Sequence, residues 1–185
     1  DAPYAPESDY ARSKARAERA LLDADHRLTT LAIVRPPLVY GPGVRGNFAA
    51  LIKLCGTGLP LPLAGATAQR SMLGLANLVD FLVQLPAANL DGARILHVRD
   101  RKEWRVTELA GELQRLTGHS TRQFPLSRKL AESMSGRLGM RHVFSRLFDP
   151  LRVDGESAER RVGWKPPRPS AELLEETVAW TRRQR

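Results

Sequence analysis

The chain has 185 residues, enough for one ordinary domain or two small ones with a sizeable core, and its 42% hydrophobic content is that of a globular protein. No apolar run approaches the roughly 20 residues that a membrane-spanning helix needs, the N-terminal stretch DAPYAPESDY lacks the basic and apolar regions of a signal peptide, and the single Cys55 excludes both an internal disulfide framework and a cysteine zinc cluster. Lys and Arg number 29 against 20 Asp and Glu, a balance of +9 that suits an anionic partner. The basic residues are scattered, however. Their densest runs are 99–105 and the tail Arg182, Arg183 and Arg185, and neither is patterned as a base-stacking surface. The expectations are therefore a cytoplasmic protein with no membrane or nucleic-acid partner, a solvated basic face, and some arginines that bind a phosphorylated small molecule. A basic nucleic-acid-binding module stands as a lesser alternative.

Asp1 to Ser8 carries two prolines and should be a loop, with Ser8 or Asp9 capping a helix that runs to about Ala24. Within it DYARSK sets Tyr10 and Lys14 four residues apart, on one helical face, where a phenol and an ammonium can serve one small site. A fixed cation favours a phenolate, so proton transfer with a hydroxyl or carbonyl becomes feasible near neutral pH. Such pairs also arise by chance on surface helices, so the neighbouring segments decide. Ala17 and Leu21 continue the same stripe and predict that the pair faces protein or ligand. The run TTLAIV, Thr29 to Val34, reads as a buried parallel strand. Helix then strand is half of a doubly wound α/β unit, in which ligands sit beyond the carboxyl ends of the strands. RPPLVYGPG, Arg35 to Gly43, falls there as an irregular loop stiffened by prolines.

With YARSK followed by Ala17 and Glu18, and RPPLVYGPG next, the chain resembles the C-terminal portion of an extended short-chain dehydrogenase/reductase, in the NAD-dependent nucleotide-sugar epimerase and dehydratase family. YARSK is similar to that family's YxxxK motif, and QRSMLGLANLVDFL resembles its RSxxxVxNLVxA segment. The resemblance implies an α/β fold: the C-terminal part of a Rossmann-like doubly wound sheet plus a small, mostly helical substrate-binding domain. Residues 1–44 would belong to the NAD(P)-binding Rossmann domain and 45–185 mainly to the substrate region, with about 70–100 returning to the sheet. It implies Tyr10 as catalytic acid–base, and Lys14 as the residue that holds the nicotinamide ribose and favours the phenolate. Pro37 would lie beside the nicotinamide, and Asn47 and Arg70 would grip the diphosphate of a nucleotide-diphosphate sugar. A planar guanidinium suits that last role, since it bridges two phosphate oxygens. NAD or NADP is the implied cofactor, and a homodimer the assembly the family allows.

Asn47 to Cys55 reads as a helix, and GTGLPLPLAG as an exposed, turn-rich connection. Met72 to Leu75 should be a short strand, Asn77 a cap, and Leu78 to Leu85 a helix. RILHV, Arg94 to Val98, is another short strand, with His97 packed rather than catalytic. Thr107 should cap a helix to Thr117 that Gly118 ends. A further helical stretch starts at Ser127, with Leu130, Met134, Leu138 and Met140 in the core. VDGESAERRVGWKPPRPSAELLEETVAW, similar to the family's terminal pattern, should give a short strand, a short helix, a turn, and a last helix capped by Ser170, with Trp164 and Trp180 in the core. His26, His119 and His142 have no carboxylate or cysteine at ligand spacing, so no metal is expected.

A glycine-rich GxxGxxG loop is not present in the sequence, nor is the family's Ser or Thr that precedes YxxxK. The chain begins without Met and almost directly on the YxxxK helix, and is read as a piece of a longer protein, inactive by itself. The parent is expected to be an NAD(P)-dependent nucleotide-sugar 4-epimerase or 4-keto-sugar reductase, with a place in surface-polysaccharide synthesis. Galactose epimerases of this family carry YFN where the chain has Pro36, Pro37 and Leu38, a departure that favours the reductase-like or divergent reading. The rival from another class is a non-catalytic relative that binds NAD(P) or sugar nucleotide.

Overall fold

The computed structural model describes residues 9–24, 30–88, 90, 95–120, 122–125 and 150–184. The helical stretch expected from Ser127, together with His26 and His142, lies outside them. The elements in order are α1 (Asp9–Asp23), β1 (Ile33–Arg35), β2 (Leu38–Tyr40), α2 (Gly46–Cys55), β3 (Gln69–Arg70), β4 (Met72–Gly74), α3 (Leu75–Gln84), β5 (Ile95–His97), β6 (Trp104–Arg105), α4 (Val106–Leu116), α5 (Glu156–Val162) and α6 (Ser170–Arg183). This is an α/β fold built on parallel strand pairs.

β1 pairs in parallel with β5, placing Arg35 opposite His97, and β2 pairs in parallel with β4, placing Tyr40 opposite Gly74. Parallel neighbours require long crossovers, and α2 lies within the one between β2 and β4. Met72 and Leu73 are 1% and 0% exposed, and because successive strand residues point to opposite faces they enter two different cores. Met72 joins Tyr40, Phe48, Ile52, Leu113 and Leu174, from β2, α2, α4 and α6. Leu73 joins Phe81, Leu96, Val98, Ala158 and Trp164. A strand covered on both faces reads as a continuous apolar run, which is why MLG carries no polar alternation.

Several boundaries differ from the sequence expectation. The first strand starts at Ile33 and reaches Arg35, later than the run of β-branched residues suggested. RPPLVYGPG is not all loop: after Pro36 and Pro37 interrupt the ladder, Leu38–Tyr40 resume as β2 because β4 offers a parallel partner. The connection after α2 is turn-rich, yet Leu61, Leu63 and Ala66 are buried against the larger core. Asn77 lies inside α3, not at its start, since Gly74 occupies the N-cap. Thr107 is likewise inside α4, behind Arg105 at the N-cap, with its backbone N–H donated to Ala66 O at 3.2 Å. Gly118 does close that helix, at φ 86, a value that favours glycine. Trp164 is core, stacked edge-on to Phe81 at 5.1 Å with its indole N–H donated to Asp80 Oδ2 at 2.8 Å. Trp180 is only half-buried.

The glycine that follows β2 is required by packing. A Cβ on Gly41 would stand 2.6 Å from Leu75 Cβ, an atom fixed to the α3 backbone that cannot rotate away. Gly41→Ala is therefore expected to cost about 1–3 kcal/mol by overpacking the β2–α3 junction. A drop in the urea midpoint without change of slope checks this, and an unchanged midpoint would count against the close approach.

Among the described residues no helix is long and apolar enough to cross a membrane, and no group of three or more His, Cys, Asp or Glu is placed to hold a metal. Cys55 is fully buried in the larger core, and burial pushes its thiol up to about 12, so it stays protonated and unreactive in the folded chain.

Candidate active site

α1 brings Tyr10 and Lys14 together as its pitch requires, with Lys14 Nζ 5.6 Å from the centre of the Tyr10 ring. Both side chains face outward, Tyr10 at 72% exposure, and the stripe they share with Ala17 and Leu21 is exposed as well. Among the described residues only Ala15 of this helix is buried, so the pair faces solvent rather than the core. The Ser13 hydroxyl donates to Tyr10 O at 2.8 Å, and Arg12 pairs with Asp9 in the first turn.

One contact fixes α1 to the strand beneath it. The Arg35 guanidinium, at the end of β1, pairs with Glu18, with Nε at 2.9 Å from Oε1. Both partners are largely shielded, which makes the pair worth more than an exposed one. It ties the helix that carries Tyr10 and Lys14 to the strand end from which Pro36 and Pro37 continue. Opposite Arg35 in the ladder stands His97. Burial and then the Arg35 charge hold its imidazole below the usual range, so it stays neutral near pH 7 and acts as a packed ring.

Pro37 is half-buried between β1 and β2, and Leu38 beside it is 41% exposed. β2 is followed by Gly41, whose carbonyl accepts from Val44 N at 3.1 Å, and the chain turns through Gly43 at φ 86 into α2. Asn47 is the second residue of that helix and points to solvent, while Phe48 after it is buried. Arg70 ends β3, half-buried, opposite Trp104 of β6 and bridged on its other side to Leu151. Leu151 exchanges backbone hydrogen bonds with Gln69 O and Ser71 N, and the Ser71 hydroxyl accepts from Val153 N at 3.0 Å. Asn47 and Arg70 thus stand on separate elements. They share one framework, because β2 leads into the turn before Asn47 and β4, its ladder partner, begins two residues after Arg70.

The centre of that framework is a residue that sequence reasoning did not single out. Asp100 is 1% exposed and its carboxyl group gathers four donors. Oδ2 accepts from Tyr40 OH at 2.7 Å, Gly74 N at 3.1 Å and Ser170 Oγ at 3.2 Å, and Oδ1 accepts from Asn77 Nδ2 at 2.7 Å. Its backbone N–H meets Met72 O at 2.9 Å. Ser170 therefore does not cap α6, for Pro169 holds that position and the serine side chain is turned inward. Burial, and then the neighbouring Asp100, push the Tyr40 phenol far above its ordinary value, so it remains a neutral donor. The available signal was one of two acids, Asp100 and Glu103, among the four bases of 99–105, a place that reads as solvated loop until its burial is known.

The donor set on α1 and at the β1 end fits a nicotinamide riboside: a phenol and an ammonium side by side and outward-facing, with a proline edge at the strand terminus tied to them through Glu18 and Arg35. Similarity to known proteins identifies the fold and the family. UDP-glucose 4-epimerase of Vibrio cholerae is 33% identical over 177 residues, covering 95% of this chain and 54% of that protein. Among solved structures, the Bordetella bronchiseptica enzyme WbmF, in complex with NAD+ and UDP, matches at TM-score 0.71 and 21% identity over 100% of this chain and 56% of that one. UDP-glucuronic acid 4-epimerase from Bacillus cereus, in complex with NAD, matches at TM-score 0.70 and 16% identity over 97% and 54%. The fold is thus that of Rossmann-like sugar epimerases, and the chain spans about half the length of each of these proteins. The family model for NAD dependent epimerases and dehydratases matches residues 1–96, more than half of the sequence, and the chain belongs to that NAD dependent epimerase/dehydratase family.

Proposed function

We propose that the full-length parent is an NAD(P)-dependent enzyme acting on a nucleotide-diphosphate sugar, either a 4-epimerase or a 4-keto-sugar reductase. The observation that carries this reading is the exposed Tyr10–Lys14 pair, anchored through Glu18 and Arg35 at the strand end. Bound NAD(P) supplies the hydride acceptor or donor. Tyr10 takes the proton from, or returns it to, the sugar hydroxyl at its phenol oxygen. Lys14 holds the ribose and keeps a positive charge beside the ring, while Pro37 closes the nicotinamide side. Asn47 and Arg70 grip the diphosphate, with Arg70 backed on both sides by β6 and the 151–153 segment. The pairing of β4 with β2 and of β5 with β1 supports assigning 1–44 and about 70–100 to one nucleotide-binding sheet and most of the remainder to the substrate.

Leu38, partly exposed next to Pro37, stands where galactose epimerases of the family have asparagine, and this favours a reductase-like or divergent member. The configuration at sugar C4, followed by NMR after mixing the full-length parent with a nucleotide-diphosphate hexose, tests the proposal. Formation of the 4-epimer without added cofactor assigns an epimerase, and consumption of external NADPH with a 4-keto sugar nucleotide assigns a reductase. Binding of the sugar nucleotide without any turnover would replace both by the non-catalytic reading.

A further inference from the structure

Beyond the Tyr10 region, a cleft of about 510 Å³ opens where the 99–105 loop meets the turn before α6, and Arg101, Lys102, Lys165 and Arg168 line it together with Pro166 and Pro167. Its volume is that of a small-molecule site. Its wall is preorganised. The prolines have fixed backbone angles, and the fully buried Asn77 amide clamps Arg168 from both sides, donating to its carbonyl at 3.0 Å and accepting its N–H at 3.1 Å.

The cations differ in how firmly they are held. Arg168 is satisfied by Glu172 and Glu176, each at 2.6 Å. Lys102 pairs with Glu108 at 2.6 Å and lies over the Trp104 ring, and Lys165 pairs with Glu159 at 2.8 Å, but all four of those side chains are about half exposed. Exposed pairs of this kind contribute little, so either lysine exchanges its carboxylate for a better anion at small cost. Arg101 is in salt-bridge contact with none of the described carboxylates, and its charge is felt by Glu159 at longer range.

We propose that this cleft binds a small soluble phosphate monoester, with the phosphate met by Arg101, Lys102 and Lys165 and the organic part lying against the prolines. A phosphate monoester carries about two negative charges near neutral pH and three strong acceptor oxygens, which matches one guanidinium in salt-bridge contact with none of the described carboxylates and two readily released ammonium groups better than a monoanion does. A concave site with rigid apolar walls selects a discrete molecule over an extended polymer or a flat surface.

The test is calorimetric titration of the full-length protein with glycerol 3-phosphate, in the presence of excess uridine diphosphate to fill the site around Arg70. Saturable binding that weakens at least about tenfold in Arg101→Ala/Lys165→Ala, and falls with added salt, is the expected result. Both side chains are exposed, so folding should survive, and Arg101→Gln alone provides a second, milder variant with a smaller loss. Heat that does not saturate, or equal affinity in the wild type and both variants, would overturn the proposal. So would binding seen only with vesicles containing phosphatidic acid, which would make the cleft a membrane contact.

Discussion

Replacing Asp100 with alanine is expected to cost about 4 kcal/mol or more of folding free energy. The carboxyl group is the shared acceptor of four donors that reach it from β2, β4, α3 and α6. Two of those donors keep a second partner after its removal: Tyr40 OH still has Ser170 O at 3.3 Å, and Asn77 still has Arg168 O at 3.0 Å. Gly74 N–H and the Ser170 hydroxyl lose the acceptor named for them, inside the core, and each orphaned donor costs about 1–3 kcal/mol. A small cavity adds to this. Because whole domains are stable by only about 5–15 kcal/mol, the variant should unfold at much lower urea, with the β2–β4 pair and α6 loosening together. Asp154→Ala is the comparison, since Asp154 is half exposed and paired with an exposed Arg160; its loss should stay below about 1 kcal/mol. Similar small losses in both variants would show that Asp100 does not bind the framework together.

This hub also marks the limit of what could be read from the sequence. Local signals carried the helices: the amphipathic stripe of α6, the Gly118 stop of α4, and the i, i+4 relation of Tyr10 and Lys14 depend only on residues near in sequence. The parallel α/β class followed from an apolar strand after a helix. Partners distant in sequence decided the rest. Leu38–Tyr40 are a strand only because Met72–Gly74 lie alongside, and Leu61 and Leu63 are buried only because α2 and α4 close over their loop. Ser170 and Asn77 looked like caps from composition, and both proved to serve a buried acid that is 70 residues away from one and 23 from the other. At the candidate site the sequence named the right neighbours, Tyr10 with Lys14, but not the Glu18–Arg35 pair that holds their helix to the strand end, although Glu18 was visible beside the motif.

The second large effect concerns chemistry rather than stability. Tyr10→Phe removes one oxygen from a side chain that is 72% exposed, so folding should be unaffected. General acid–base groups contribute about 10²–10⁴-fold to rate, and a phenylalanine ring retains the shape without the proton. Turnover of the full-length parent should therefore fall by at least about a thousandfold. Affinity for the sugar nucleotide should hardly change, since the proposed function gives the diphosphate to Asn47 and Arg70 and Lys14 is untouched. In free-energy terms the loss would be about 4 kcal/mol, all of it in the transition state.

The most direct measurement of the Tyr10–Lys14 assignment sets these two quantities side by side in the same preparation: conversion at sugar C4 and equilibrium binding of the same nucleotide-diphosphate hexose, for wild type and Tyr10→Phe. The account predicts binding constants within about twofold of each other and conversion lost in the variant. Conversion that continues at near the wild-type rate in Tyr10→Phe would contradict it.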